Sequence, residues 1–192
     1  MIRVAAILAF TLLFSGANLF AQAKAEIFAG YSFQRAAPCG VSGSGCNFEH
    51  SEGPLTGNFN GWEVALTGYL KSSLGVTADF AGHYGSSNLT SFSSSPGAAV
   101  SFSSYSYLFG PTYAWHLRQV TPFVHGLVGG VSWRSNLTQY SGLAWALGGG
   151  LDLKTRHHFA VRIAQLDYLG NRAPNGINAS SWRYSFGLVF AF

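Results

Sequence analysis

Residues 182–192 read Trp182-Arg183-Tyr184-Ser185-Phe186-Gly187-Leu188-Val189-Phe190-Ala191-Phe192. Trp182, Tyr184, Phe186, Leu188, Phe190 and Phe192 alternate with Arg183, Ser185, Gly187, Val189 and Ala191. Successive side chains of a β-strand point to opposite faces, so a strict period of two predicts a strand with two unlike sides. One side is large and apolar throughout. The other is small or charged.

The rest of the sequence says which solvent the large side meets. Charged residues make up 9% of the 192 residues, against roughly 25% in an ordinary soluble domain, while aromatic residues make up 16% and glycine contributes 24 residues. Disordered chains are poor in aromatics and rich in charge, so disorder is excluded. Ala, Glu, Lys and Leu do not dominate, which argues against a helical bundle or coiled coil. Residues 1–23 are expected to be a cleaved signal peptide, with a basic Met1-Ile2-Arg3 start, an apolar Val4–Phe14 run and an Ala21-Gln22-Ala23 site. That run is shorter than the ~20 apolar residues a membrane helix needs. The remaining 24–192 is expected to form one domain. It has no second hydrophobic helix, and helices and closed barrels are the only ways to satisfy a backbone in lipid. The reading is therefore an all-β, eight-stranded antiparallel up-and-down transmembrane β-barrel.

The alternation repeats backwards from the last strand. Ile27, Tyr31 and Phe33 oppose Glu26, Gly30, Ser32 and Gln34; Trp62, Val64 and Leu66 oppose Glu63, Ala65, Thr67 and Tyr69. Val76, Phe80 and Tyr84 oppose Thr77, Asp79 and His83; Tyr105, Tyr107, Phe109, Tyr113 and Trp115 oppose Ser104, Ser106, Gly110 and Thr112. In 122–133, size places Phe123, Leu127, Val131 and Trp133 toward lipid and Val124, Gly126, Val128, Gly130 and Ser132 inward; His125 then falls on the lipid face. Leu143, Trp145, Leu147, Leu151 and Leu153 oppose Ala144, Ala146, Gly148, Gly150 and Asp152. In 159–169, Val161 and Ile163 oppose Arg162 until Gln165 and Asp167 break the phase, which predicts a bulge near Gln165. Tight turns near 71–73, 117–119 and 155–157 alternate with connections at 36–58, 87–100, 135–141 and 170–180, which are expected to be long. Unlike ends of this kind suit a membrane barrel. Trp62, Trp133, Trp145 and Trp182 are expected at the long-loop rim and Trp115 at the short-turn rim, as an aromatic girdle.

The final Ser185-Phe186-Gly187-Leu188-Val189-Phe190-Ala191-Phe192 resembles the C-terminal assembly signal of bacterial barrels, with Ser185, Gly187, Phe190 and Phe192 as its matching positions. Tyr107-Leu108-Phe109-Gly110-Pro111, Thr121-Pro122-Phe123-Val124-His125 and Leu147-Gly148-Gly149-Gly150-Leu151-Asp152 resemble segments of the outer membrane protein β-barrel domain family, which is similar to the OmpA transmembrane domain. The resemblance implies the Gram-negative outer membrane as location, its lipid as solvent and the barrel-assembly machinery as a partner during insertion.

The expected lumen holds Glu26, Glu63, Asp79, His83, Asp152, Arg162 and Arg183. Paired carboxylates can do acid–base chemistry, but a small barrel is filled by its own side chains, and the reading here is an interior polar network, with Asp152 bonded to Arg162. Solute passage is not expected. Cys39 and Cys46 are expected to form a loop disulfide in an exported chain. Without a His at ligand spacing they make a poor zinc site, and no metal or other cofactor is expected. His50-Ser51-Glu52 lacks the His-x-Ser spacing that puts base and nucleophile on one strand face. The thin positive charge forms no patch for nucleic acid. The function read from the sequence is a small monomeric, non-enzymatic outer-membrane barrel, structural or binding an extracellular ligand through its long loops. The alternatives are an outer-membrane lipid-modifying enzyme and a soluble lipocalin-like carrier, the latter requiring an apolar interior and a charged exterior.

Overall fold

The computed structural model describes residues 25–37, 57–88, 99–135, 139–156, 158–172 and 178–192. The expected signal peptide and the pair Cys39 and Cys46 lie outside the described residues. Eight strands follow one another: β1 (Ala25–Ala37), β2 (Gly57–Tyr69), β3 (Leu74–Asn88), β4 (Ala99–Ala114), β5 (Val120–Ser135), β6 (Gln139–Arg156), β7 (Phe159–Arg172) and β8 (Asn178–Ala191). Each pairs antiparallel with the next, and β8 pairs back onto β1, which closes the barrel. Closure leaves no sheet edge, so every strand finds its backbone partners within the wall.

Lipid and lumen sort the side chains. Tyr31, Trp62, Leu66, Phe80, Phe109, Leu147, Phe186 and Leu188 are exposed on the outer wall, while Ser32, Glu63, Asp79, Ser104, Arg183 and Ser185 are buried inside. A water-facing exterior with that many large apolar side chains would be an aggregation surface; lipid is the solvent that suits it. The same sorting argues against the lipocalin-like alternative, because the buried face carries Glu63, Asp79, Asp152, Asp167, Arg162 and Arg183 and the outer wall is apolar.

One strand corrects the sequence reading. Phe123, His125, Leu127 and Val131 of β5 point into the lumen, and Val124 and Val128 point out; Leu127 is 1% exposed and Val128 is 66% exposed. Size alone misassigned this strand because both its faces carry apolar residues. Its neighbours decide the matter. The inner face of β6 is small, with Gly148 opposite His125 and Gly150 opposite Phe123. A Cβ on Gly150 would come 2.8 Å from the Phe123 ring, and one on Gly148 would come 1.9 Å from Asp167 Oδ1. Large β5 side chains thus fill the space that β6 leaves empty, as close packing requires. Gly126 and Gly130 of β5 face outward instead, and the Tyr107 ring lies over Gly130. Trp133 turns inward with the same face. It packs on the buried cluster of Leu108, Leu127, Val131, Ala144, Ala146 and Leu169, with its ring 6.0 Å from Phe59.

The phase break in β7 is a bulge, between Arg162 and Gln165 in the pairing with β8. It leaves Arg162, Gln165 and Asp167 all facing the lumen. The four-residue turn after β2 is closed by Leu70 N donating to Leu74 O at 2.9 Å. The third and fourth connections at the opposite end are shorter than expected. Pairing persists to Arg134 with Gln139 and to Arg172 with Asn178, leaving three and five residues between the strand ends.

Candidate functional site in the barrel lumen

The lumen is layered. Nearest the short turns, Tyr69, Ala114 and Phe123 form one apolar group, and Phe28, Ala65 and Val189 another. Nearest the long loops lies the Leu108–Leu127–Val131–Leu169 cluster. Between them the wall supplies charge.

Arg183 of β8 is the centre and is fully buried. Its Nη1 and Nη2 donate to Asp79 Oδ1 and Oδ2 of β3 at 2.9 and 3.1 Å. Its Nε and Nη2 donate to Asp167 Oδ2 of β7 at 2.9 and 2.7 Å. Glu63 Oε2 of β2 lies 3.3 Å from Nε. Four strands are therefore joined by one guanidinium, whose planar fork suits several carboxylates at once. The acids are held from behind. Ser185 donates to Glu63 Oε2 at 2.6 Å, and Gln165 Nε2 reaches both Glu63 Oε1 and Asp167 Oδ2 at 2.8 Å. His125 Nε2 lies 2.8 Å from Asp167 Oδ1. His83 bonds Ser32 at 2.9 Å, and Ser32 in turn meets Ser185 at 2.9 Å.

A second pair lies on the turn side. Arg162 Nε and Nη2 donate to Asp152 Oδ1 and Oδ2 at 2.7 and 3.0 Å. Its Nη1 donates to Gln165 Oε1 at 2.7 Å, which couples the two clusters. The guanidinium is sandwiched between Phe28 and Phe123, 4.3 and 4.1 Å from the ring centroids. Both ring faces are negative, so each attracts the cation. Thr67, Thr77 and Thr112 form a hydroxyl chain beside this layer, with links of 2.8 and 2.6 Å. The void among them and Asp79 measures about 10 Å³, room for about one water.

The residues expected inside thus divide. Glu63, Asp79 and Arg183 meet in one cluster, Asp152 and Arg162 form the second, and His83 sits beside the first through Ser32. Glu26 stands apart in the turn-end vestibule, accepting from the Tyr69 hydroxyl at 2.9 Å, with His116 Nε2 at 3.9 Å. Asp167, Gln165 and His125 were absent from the expected set. The bulge carries the first two inward, and the turned face of β5 brings the third. Trp62, Trp145 and Trp182 lie exposed near the long-loop end and Trp115 at the short-turn end, whereas Trp133 leaves the expected girdle for the lumen. In the terminal stretch, Ser185 and Gly187 face inward, and Phe190 and Phe192 are exposed outside.

The open turn-end vestibule holds Glu26, His116, Thr121 and His158, and none of its hydroxyls is hydrogen-bonded to a histidine among the described residues. His125 and Asp167 are within bonding distance, but both are buried and Asp167 is held by Arg183. No family model matches the sequence, and no curated protein matches it either. Solved structures do match. Ail, the attachment invasion locus protein of Yersinia pestis, is 18% identical, with 88% of this chain and 99% of that one covered and a TM-score of 0.54. Neisserial surface protein A is 13% identical, with 88% and 97% covered and a TM-score of 0.64.

The chain is an eight-stranded outer-membrane-type barrel. The likeness to these structures is one of fold, and the exposed apolar wall and closed strand order agree with it.

Proposed function

We propose that this protein is a small, non-enzymatic barrel of the bacterial outer membrane, with a plugged lumen, that acts as a structural or surface-binding element through the loops joining β1 to β2 and β3 to β4. The observation that supports this most is the network around Arg183. It ties β2, β3, β7 and β8 across the lumen, and the void beside it among the described residues is water-sized. A polar interior built this way supports the wall and does not conduct. Its acids are all engaged by partners, so none is placed to act on a substrate. The protein inserts through the barrel-assembly machinery, on the resemblance of its last eight residues, and works as a monomer. Among proteins of this fold, Ail, the attachment invasion locus protein, has been crystallised in complex with the heparin analogue sucrose octasulfate. That supports a binding role for the loop end by analogy of fold.

Two measurements test this reading. Purified protein in planar bilayers is expected to give a flat current, and steady nanosiemens conductance would refute the plug. Lipid A mass spectra are expected to be the same with and without the protein, and a change in acyl chains would refute the non-enzymatic assignment.

A further inference from the structure

Charge in this barrel is sorted radially. Among the described residues, Glu63, Asp79, Asp152 and Asp167 are buried in the lumen, and Glu26 is at its turn-end mouth. No described carboxylate lies on the outer wall. The cations divide differently. Arg162 and Arg183 neutralise the lumen, Lys71, Arg118 and Lys154 are exposed at the short-turn end, and Arg35 of β1, Arg134 of β5 and Arg172 of β7 are exposed on the outer face at the long-loop end.

Each of these three stands beside an exterior aromatic side chain. Arg35 is paired across the ladder with Trp182. Arg134 is paired with Ser103, one outward step loopward of Tyr105. Arg172 is the next outward residue after Gly170, which is paired with Trp145 and lies under its ring. Exterior Trp and Tyr mark the level of the lipid headgroups, so the three guanidinium groups lie at that level or just above it. They sit on strands, not on loop tips, which fixes their height. They also sit on well-separated strands, so each faces a different part of the surrounding lipid.

We propose that Arg35, Arg134 and Arg172 form a collar that binds the phosphate groups of lipids in the leaflet at the loop end. The argument is charge complementarity. Three exposed cations without a carboxylate on the described wall meet a layer whose acceptors are phosphate oxygens. The residue type fits as well, because a guanidinium fork takes two phosphate oxygens at once where an ammonium offers a point charge. Such contacts hold the barrel at one depth and enrich anionic lipid around it. The inference rests on the transmembrane placement of the barrel, which heat-modifiable migration on a gel reports independently.

The test uses the full chain refolded into phosphatidylcholine vesicles containing either brominated phosphatidic acid or brominated phosphatidylcholine. Wild type and variants all carry Trp115→Phe, which removes the exterior tryptophan at the short-turn rim beside Lys71, Arg118 and Lys154, so bromine quenching reports the loop-end rim, including Trp182 and Trp145 beside two of the arginines. Wild type is expected to favour the phosphate monoester lipid by about fivefold, the scale of a basic residue at an anionic surface. The triple substitution Arg35→Gln, Arg134→Gln, Arg172→Gln is expected to reduce the preference to about one. The corresponding Lys triple is expected to fall between them, and 1 M salt to weaken the wild-type preference, where the Debye length is about 3 Å. All variants are expected to keep heat-modifiable migration, since the three side chains are exposed. The proposal is overturned by equal quenching from both lipids in wild type. It is overturned too by a preference that survives the Gln triple. A soluble polyanion, inositol hexakisphosphate, binding the detergent-held wild type and not the Gln triple while the lipid preference is absent would reassign the collar to a soluble ligand.

Discussion

Replacing Arg183 by Met removes the one cation that three buried acids share. Met keeps an unbranched apolar stem of similar reach up to the guanidinium and removes the charged head, so the change is chiefly electrostatic. Five nitrogen–oxygen contacts between 2.7 and 3.3 Å disappear, and Asp79, Asp167 and Glu63 are left together at 1% exposure or less. Leaving a buried ion unpaired costs about 3–5 kcal/mol. With three acids affected, the loss is expected at the upper end, about 5 kcal/mol, or more than a thousandfold in the folded-to-unfolded ratio. Asp79→Asn is the companion change. In wild type it removes one of three acids and keeps an acceptor for Arg183, so a loss of about 1–2 kcal/mol is expected. In the Arg183→Met background it relieves repulsion, so it is expected to restore stability. The sign of the Asp79→Asn effect therefore reverses, which additive, uncoupled sites cannot produce. The assay is urea unfolding and refolding in lipid vesicles, followed by tryptophan fluorescence and gel migration. A loss below about 1 kcal/mol for Arg183→Met, or an Asp79→Asn penalty that is the same in both backgrounds, would refute the shared-cation account.

Two further outcomes follow from the same layer. Arg162→Lys keeps the charge but loses the bidentate contact to Asp152 and the double ring sandwich, and is expected to lower stability by about 2 kcal/mol in the same urea assay. Gly148→Ala places a methyl group 1.9 Å from Asp167 Oδ1 and 2.6 Å from Leu166 O, and is expected to cost about 3 kcal/mol. Gly126→Ala, where the new atom meets only the flexible end of Leu147 at 3.3 Å, is the control and is expected to be nearly neutral, within about 0.5 kcal/mol.

The wall was legible because lipid and lumen demand opposite side chains and a strand alternates strictly between them. β8 shows this at every position, and β2, β3, β4 and β6 follow it. β5 was not legible on its own. Its large and small residues do not divide by solvent; they divide by what β4 and β6 present opposite, as Gly150 beneath Phe123 shows. The bulge in β7 could be read from its phase break, yet its consequence for Gln165 and Asp167 needed the register beyond it. Asp152 and Arg162 are ten residues apart across one turn, so their meeting could be reasoned from the hairpin. Arg183 and Asp79 are 104 residues apart, and only the closed barrel brings their strands to face each other. His125 escaped for the same reason as Trp133: the face of β5 is a tertiary property.

The central claim is that apolar residues face lipid and the charged network fills the lumen, with β5 oriented by its neighbours. Nitroxide labels placed singly at Phe123, Val124, Leu127 and Val128, and at Arg183, Tyr184, Ser185 and Phe186, test it in bilayers through oxygen-collision electron paramagnetic resonance. The account predicts high lipid accessibility at Val124, Val128, Tyr184 and Phe186 and low accessibility at the other four. High accessibility at Phe123 and Leu127 with low values at Val124 and Val128 would contradict it.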